Sequence, residues 1–180
     1  SDYDTLVFDE FDGGAGNWSG WIDSGSATVS VSIDTTGKLS GDNSYLVDVT
    51  TGSADTYRIQ RNTDCPMGAD SIYAVTFMAV ADTPTASINV LFEIDTGPWT
   101  KYLNEIADLD TVAKSFSYVV SPSVDVLNNE LKLHFGGPQN DSTKIWFDKV
   151  VITKVVAGPT GIRPSESLVP KGIALRQNYP

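Results

Sequence analysis

The chain has 180 residues, with 12 Lys and Arg against 23 Asp and Glu, one His and one Cys, for a formal net charge of −11. That balance excludes a nucleic-acid backbone as partner, because phosphate binding needs clustered cations; the single cysteine, Cys65, excludes an intramolecular disulfide, and the single histidine, His134, a multi-histidine zinc centre. A content of 41% apolar and 10% aromatic residues suits a folded domain and not a disordered acidic segment, and no apolar run reaches the roughly 18 residues of a membrane span.

Apolar residues recur with period two, and Val, Ile, Thr, Tyr and Phe dominate the runs, as half-buried strands require. In chain order, a turn at Asp12-Gly13-Gly14 precedes a predicted strand at 28–34; Ser40-Gly41-Asp42-Asn43 turns into a strand at 44–50; strands follow at 71–80 and 87–95. The turn Asp95-Thr96-Gly97-Pro98 leads to a segment in which 104–108 reads as one short helical turn. Strands at 115–120, 129–135 and 144–156 complete the set, with turns at Ser121-Pro122-Ser123 and Gly136-Gly137-Pro138. About nine or ten short strands separated by turns predict an all-β fold, a two-sheet antiparallel β-sandwich of jelly-roll type.

Two strands assign their faces. Ile88, Val90, Phe92 and Ile94 share one side of 87–95, opposite Asn89, Leu91, Glu93 and Asp95; Leu131, Leu133 and Phe135 are expected in the core, with Lys132 and His134 facing away. The polar outer face of a sheet is then where a ligand would be met. Phosphate-binding loops and a nucleophile elbow are absent. The enzymatic option left open is a carboxylate pair acting on glycosides, as in a jelly-roll glycoside hydrolase or polysaccharide lyase.

Trp18, Trp21, Tyr57, Trp99 and Tyr102 lie in or beside turn-rich stretches. Trp18 and Trp21 read chiefly as rim residues packing the ends of the sandwich. Trp99, in Thr96-Gly97-Pro98-Trp99-Thr100, is expected at the surface, where an aromatic face beside amides suits the C–H face of a sugar ring.

Several segments together resemble a known family: Phe11-Asp12-Gly13, the 40–49 stretch, Tyr57-Arg58-Ile59-Gln60, the strand from Tyr73 to Ala79, His134-Phe135-Gly136 and the closing 145–152 strand. Their order over residues 6–154 is similar to that of the carbohydrate-binding modules of family 4 and its relatives in families 9, 16 and 22. The resemblance implies a non-catalytic jelly roll that holds single chains of a β-linked polysaccharide, such as xylan, β-glucan or xyloglucan, in a groove across one sheet. By position it assigns stacking to Tyr57 and Trp99, polar groove contacts to Gln60, Tyr102, Asn104 and His134, and a possible ligand contact to Arg58, for which pairing with an acid is the equal alternative. Tyr57 stands where similar modules often have Trp, and Asn104 where a cation can occur, which leaves the preferred sugar open. Read without the resemblance, His134 is better explained as a structural or solvated histidine.

A structural calcium ion is also expected. Simple alternation puts Asp148 on one face with Val150 and Ile152, and a buried carboxylate must be paired or coordinate a metal. The resemblance gives the ligand set as Glu10 (through its carbonyl), Asp12, Ser40, Asn43 (through its carbonyl) and Asp148, with Ser40 standing where an acid can occur. The alternative is that Asp148 only accepts backbone hydrogen bonds.

Residues 157–180 hold three cations and one acid and four of the nine prolines, leaving nine cations and 22 acids in residues 1–156. The boundary is therefore placed near Val156, with a cationic linker beyond. The segment Leu175-Arg176-Gln177-Asn178-Tyr179-Pro180 resembles the start of a type IX secretion C-terminal sorting domain. It implies a secreted or cell-surface bacterial protein in which this module, a monomer, is covalently linked to a catalytic domain; a calcium-stabilised adhesion module is the non-enzymatic rival.

Overall fold

The computed structural model describes residues 3–156; the linker and sorting-domain readings fall outside them. Ten strands form two antiparallel sheets, as the alternation predicts: β1 (Tyr3–Asp9), β2 (Thr28–Asp34), β3 (Ser44–Thr51), β4 (Gln60–Asp64), β5 (Ser71–Ala81), β6 (Ser87–Ile94), β7 (Lys101–Asp108), β8 (Lys114–Val120), β9 (Asn129–His134) and β10 (Thr143–Val156). One sheet runs β2-β3-β10-β5-β8 with β1 added on β10; the other runs β4-β9-β6-β7. The helical turn expected at 104–108 is instead the second half of β7, paired with β6 from Ser87 to Glu93. Tertiary pairing overrides the weak local preference of Asn-Glu-Ile-Ala.

The core lies between the sheets. Alternation fills it from both sides, with Val47, Val49, Val75, Phe77 and Ala79 from one sheet and Ile88, Val90, Phe92, Leu131 and Leu133 from the other, none more than 1% exposed. At one end an aromatic knot closes it: Tyr45 stacks on Phe147 with centroids 4.8 Å apart, and Phe11 meets Phe147 edge-on at 5.4 Å. Trp18 joins this knot at 5.2 Å from Phe147 and donates its indole N–H to Asp9 at 2.7 Å. The packing role read for Trp18 is the observed one.

β10 is the spine of the larger sheet. Its first part, Thr143–Phe147, pairs with β3, its later part from Val150 pairs with β1, and β5 lines its other edge. Where β3 gives way to β1 the register against β5 slips by one residue, and Lys149 takes a left-handed φ of 49°. This bulge corrects the face assigned to Asp148. Asp148 pairs with Met78, off the core-facing row of Ile145, Phe147, Val150 and Ile152. It is nonetheless fully buried, because the 40–44 segment folds over it: Ser40 N–H at 3.1 Å, Ser44 Oγ at 3.4 Å and its neighbour Lys149 N–H at 2.6 Å all donate to its carboxylate.

Candidate binding face and calcium site

Pairing in the four-stranded sheet sets its outward side chains in rows, since directly opposed residues share a face. Gln60, His134, Asn89 and Ile106 form the first row; Asn62, Lys132, Leu91 and Asn104 the second; Asp64, Glu130, Glu93 and Lys101 the third. The rows span about 13 Å along the strands, four residue steps at about 3.3 Å each. Beyond β4 the sheet is extended by residues 19–22, bridged at Ser19 to Asn62 and at Ile22 to Ile59. The Gln60 amide donates to the Trp21 carbonyl at 2.8 Å, which sets Trp21 opposite Gln60 at the head of the first row. Gly20, between them, leaves room for Arg61: a Cβ there would stand 2.6 Å from the guanidinium nitrogens.

The face is recessed along its middle. On the central strand β9, His134 and Lys132 point outward yet are only 4% exposed, whereas the flanking Trp21 and Ile106 are 47% and 61% exposed. A concavity of about 500 Å³ lies beside β1 around Leu6 and Phe8 and reaches this sheet only at Thr63 and Asp64; it holds none of the expected ligand contacts.

Polar groups on the floor are incompletely used. The Lys132 ammonium donates to Glu93 Oε1 at 3.0 Å and to the Ile94 carbonyl at 3.2 Å, and lies 3.6 Å from Glu130. Asn62 Nδ2 donates to Glu130 at 3.4 Å, but Asn62 Oδ1 has no partner, and neither does His134 Nε2, although both atoms are buried. Burial first, then the charges of Lys132 and Lys101, push the His134 pKa down to about 4, so the imidazole is neutral at physiological pH. Burial, reinforced by Asp95 and Asp64, raises the pKa of Glu130 against the opposing pull of Lys132.

The remaining expected contacts fall around these rows. Tyr57, 43% exposed, sits on a single 3-10 turn, Thr56–Arg58, ahead of Gln60. Gln60 Nε2 donates to the Tyr57 carbonyl at 2.8 Å, which leaves the side-chain Oε1 of Gln60 available. Arg58 takes the alternative weighed for it. It is bonded to Asp23 at 2.6 Å and Asp55 at 3.4 Å, and its guanidinium covers the Tyr57 ring at 4.9 Å, so it orients the aromatic ring through one of its faces. Trp99, 59% exposed with a left-handed φ of 54°, occupies the β6–β7 hairpin beyond the third row, at the far end of the strands from Tyr57. Tyr102 falls at the register shift between Phe92 and Glu93 and packs partly against the core, while Asn104 lies in the second row. Alternation places Asn89 and Lys132 on the outward face without giving them a ligand role, whereas Asn62 and the outward position of Trp21 escape sequence reasoning. The signal was present in Gln60-Arg61-Asn62-Thr63-Asp64, where period two hides because both faces carry polar residues.

The expected calcium ligands gather at the β10 bulge. Asp12 Oδ1 accepts the amides of Asp42 and Asn43, each at 3.0 Å, and Asn43 Nδ2 donates to the Phe11 and Asp12 carbonyls. Glu10 turns its carboxylate toward Lys149, 3.8 Å away. Ser40 contributes its amide to Asp148, as described above. Burial raises the Asp148 pKa, and the nearby Asp12 charge adds to the shift. No Lys or Arg pairs with Asp12 or Asp148 among the described residues, which also contain no cluster of three or more His, Cys, Asp or Glu able to hold a metal. The donors available are two carboxylates and backbone carbonyls, all hard oxygens. That chemistry fits calcium.

A two-sheet sandwich with a recessed polar sheet face, rimmed by exposed aromatics and floored by unpartnered hydrogen-bonding atoms, is the architecture of a carbohydrate-binding module. The chain belongs to the CBM4/9 family of carbohydrate binding domains, whose signature it matches over residues 3–143. No curated relative matches it. Among solved structures it is similar to a CBM4 module (25% identity, TM-score 0.67, covering 84% of this chain and 95% of that one). It is also similar to the N-terminal cellulose-binding domain of Cellulomonas fimi β-1,4-glucanase C (18%, 0.62, 83% and 95%). A third likeness is to the CBM22-1–GH10 modules of Clostridium thermocellum xylanase 10B complexed with xylohexaose (13%, 0.61, 85% and 29%).

Proposed function

We infer that this face binds single chains of a β-linked polysaccharide of the xylan, β-glucan or xyloglucan type, without catalysis, and that the module brings an attached secreted hydrolase to its substrate. One observation carries the reading: two buried, unpartnered hydrogen-bonding atoms, Asn62 Oδ1 and His134 Nε2, lie in the recessed floor beside the exposed Trp21 and Tyr57. Leaving a buried polar group unsatisfied costs about 1–3 kcal/mol, and sugar hydroxyls would relieve that cost while the pyranose C–H faces stack on the indole and phenol rings. Trp99 would extend the stacking surface at the other end.

Binding as a monomer to one chain fits a recessed face; a flat aromatic platform would suit a crystalline surface instead. A calcium ion, when bound, would supply charge neutralisation at the β10 bulge, held by Asp12, Asp148 and neighbouring carbonyls and tying the 40–44 segment to the sandwich. It would act on stability, since it lies on the other sheet.

One feature favours an enzymatic rival. Glu93 and Glu130 are directly opposed across β6 and β9, as a glycosidase carboxylate pair would be. Lys132 stands between them, however, 3.0 Å from Glu93 and 3.6 Å from Glu130, and so occupies the space that a scissile glycosidic bond would need between the two carboxylates. Affinity electrophoresis against soluble xylan, mixed-linkage glucan, xyloglucan and laminarin, with reducing-end assays on the same mixtures, tests the reading. Retardation without new reducing ends supports it; product formation, or free mobility in every glycan, overturns it.

A further inference from the structure

The three rows differ in charge along the strands. The first is neutral, with Gln60, Asn89, Ile106 and a His134 that stays unprotonated at neutral pH. The third row and its surroundings hold four carboxylates, Asp64, Glu93, Asp95 and Glu130, against two ammonium groups, Lys101 and Lys132. Lys132 is already committed to Glu93 and Glu130. Asp64 and Asp95 are exposed, have no cationic partner among the described residues, and both raise the pKa of Glu130. They therefore sit close enough to act as one field.

A second observation ties that field to the ligand. Asn62 is only 9% exposed; its Nδ2 is bonded to Glu130, and its Oδ1 faces the same floor without a partner. A sugar hydroxyl that satisfies this oxygen is thereby set beside the Glu130 carboxylate.

We propose that the end of the face formed by Asp64, Glu93, Asp95 and Glu130 around Asn62 is a charge filter, which accepts uncharged sugar units and rejects units bearing a carboxylate. This rests on the polysaccharide-binding reading above and deepens it: the ligand class is a neutral chain, and Glu130 and Asp64 are specificity determinants. Like charges about 7 Å apart in a largely aqueous setting change an affinity by about threefold each. A polymer presenting one carboxylate per bound unit meets several such terms, so the combined discrimination is at least about tenfold.

The test compares affinities for hydroxyethylcellulose and carboxymethylcellulose, which share a β-1,4-glucan backbone, and for neutral arabinoxylan and glucuronoxylan, at pH 8 and at low and high salt. The wild type is expected to bind the neutral member of at least one pair at least about tenfold more tightly, with the contrast fading at about 0.5 M salt as screening shortens the field. Glu130→Gln and Asp64→Asn should each reduce the neutral-to-anionic ratio by about threefold. Asp48→Asn removes the same charge from the opposite sheet, where Asp48 pairs with Lys144, and should leave the ratio unchanged. Equal binding of both members in every pair whose neutral member is bound overturns the filter while leaving polysaccharide binding intact. So does a ratio that survives Glu130→Gln and Asp64→Asn, or one that falls equally with Asp48→Asn, which would make it a property of net charge. Failure of the wild type to bind any neutral polymer overturns the underlying binding reading, and the filter with it.

Discussion

Burial of His134 makes the protein sensitive to acid in a way that can be isolated. Its pKa falls from 6.5 to about 4 in the folded chain, chiefly through desolvation, and its side chain is 4% exposed. In the unfolded chain the imidazole takes up a proton near pH 6.5, while the folded chain resists protonation until about pH 4. Folding is therefore opposed as pH falls through this window: the stability associated with the neutral imidazole is complete above pH 6.5 and drains away toward pH 4. Linkage over the interval from pH 7.5 to 4.5 gives a loss of about 2.5 kcal/mol. Carboxylates titrate in the same range, so the measurement must be differential. Urea unfolding of the wild type and of His134→Gln at pH 7.5 and 4.5 should show the wild type losing about 2.5 kcal/mol more than the variant between the two pH values. Parallel losses in the two proteins would refute the assignment of His134 as a buried, neutral floor residue.

Trp18 and Trp21, three residues apart, should separate cleanly. Trp18→Ala empties part of the aromatic knot and is expected to cost about 3–5 kcal/mol in denaturant unfolding, whereas Trp21→Ala should alter stability by less than about 1 kcal/mol and weaken polysaccharide retardation at least about tenfold, by loss of a stacking platform. Calcium should raise the melting temperature of chelator-treated protein, and Asp148→Asn should remove that response while leaving sugar binding in place; a melting curve indifferent to both calcium and EDTA argues against the site. Burial raises the Cys65 thiol pKa to about 12, so a thiol-disulfide reagent at pH 8 should react only on unfolding; rapid labelling of the native protein would contradict that burial.

The strands legible in the sequence were those with one apolar and one polar face. Residues 87–95 and 129–135 give the register of their faces as well as their extent, because Val, Ile, Leu and Phe alternate there with Asn, Glu, Lys and His. β4 is invisible as a strand: its inward positions are the polar Thr63 and Arg61, the latter donating to the Gln60 main-chain carbonyl and the Tyr45 hydroxyl. β7 was read partly as a turn because only Leu103 and Ala107 face inward on this edge strand. The binding face was half legible for the same reason. His134 and Gln60 were reachable through strand parity and resemblance, but Trp21 owes its place to a two-bridge extension of the sheet edge that no local pattern encodes. Asp148 shows the limit of parity itself. Its burial was anticipated correctly, but a single inserted residue at the bulge changed the side on which it is buried.

β9 writes two messages in alternate letters. Its odd positions, Leu131 and Leu133, belong to the core, and its even positions, Glu130, Lys132 and His134, form the floor that would meet a sugar. A family built on such a strand can change its ligand without renegotiating its fold, since substitutions at even positions leave the odd ones in place. The same arrangement makes the strand intolerant of insertion or deletion: one residue gained or lost would exchange the two alphabets and destroy core and floor together. Diversity among modules of this architecture should therefore accumulate as point substitutions along β9, and as length changes only in the loops that flank it.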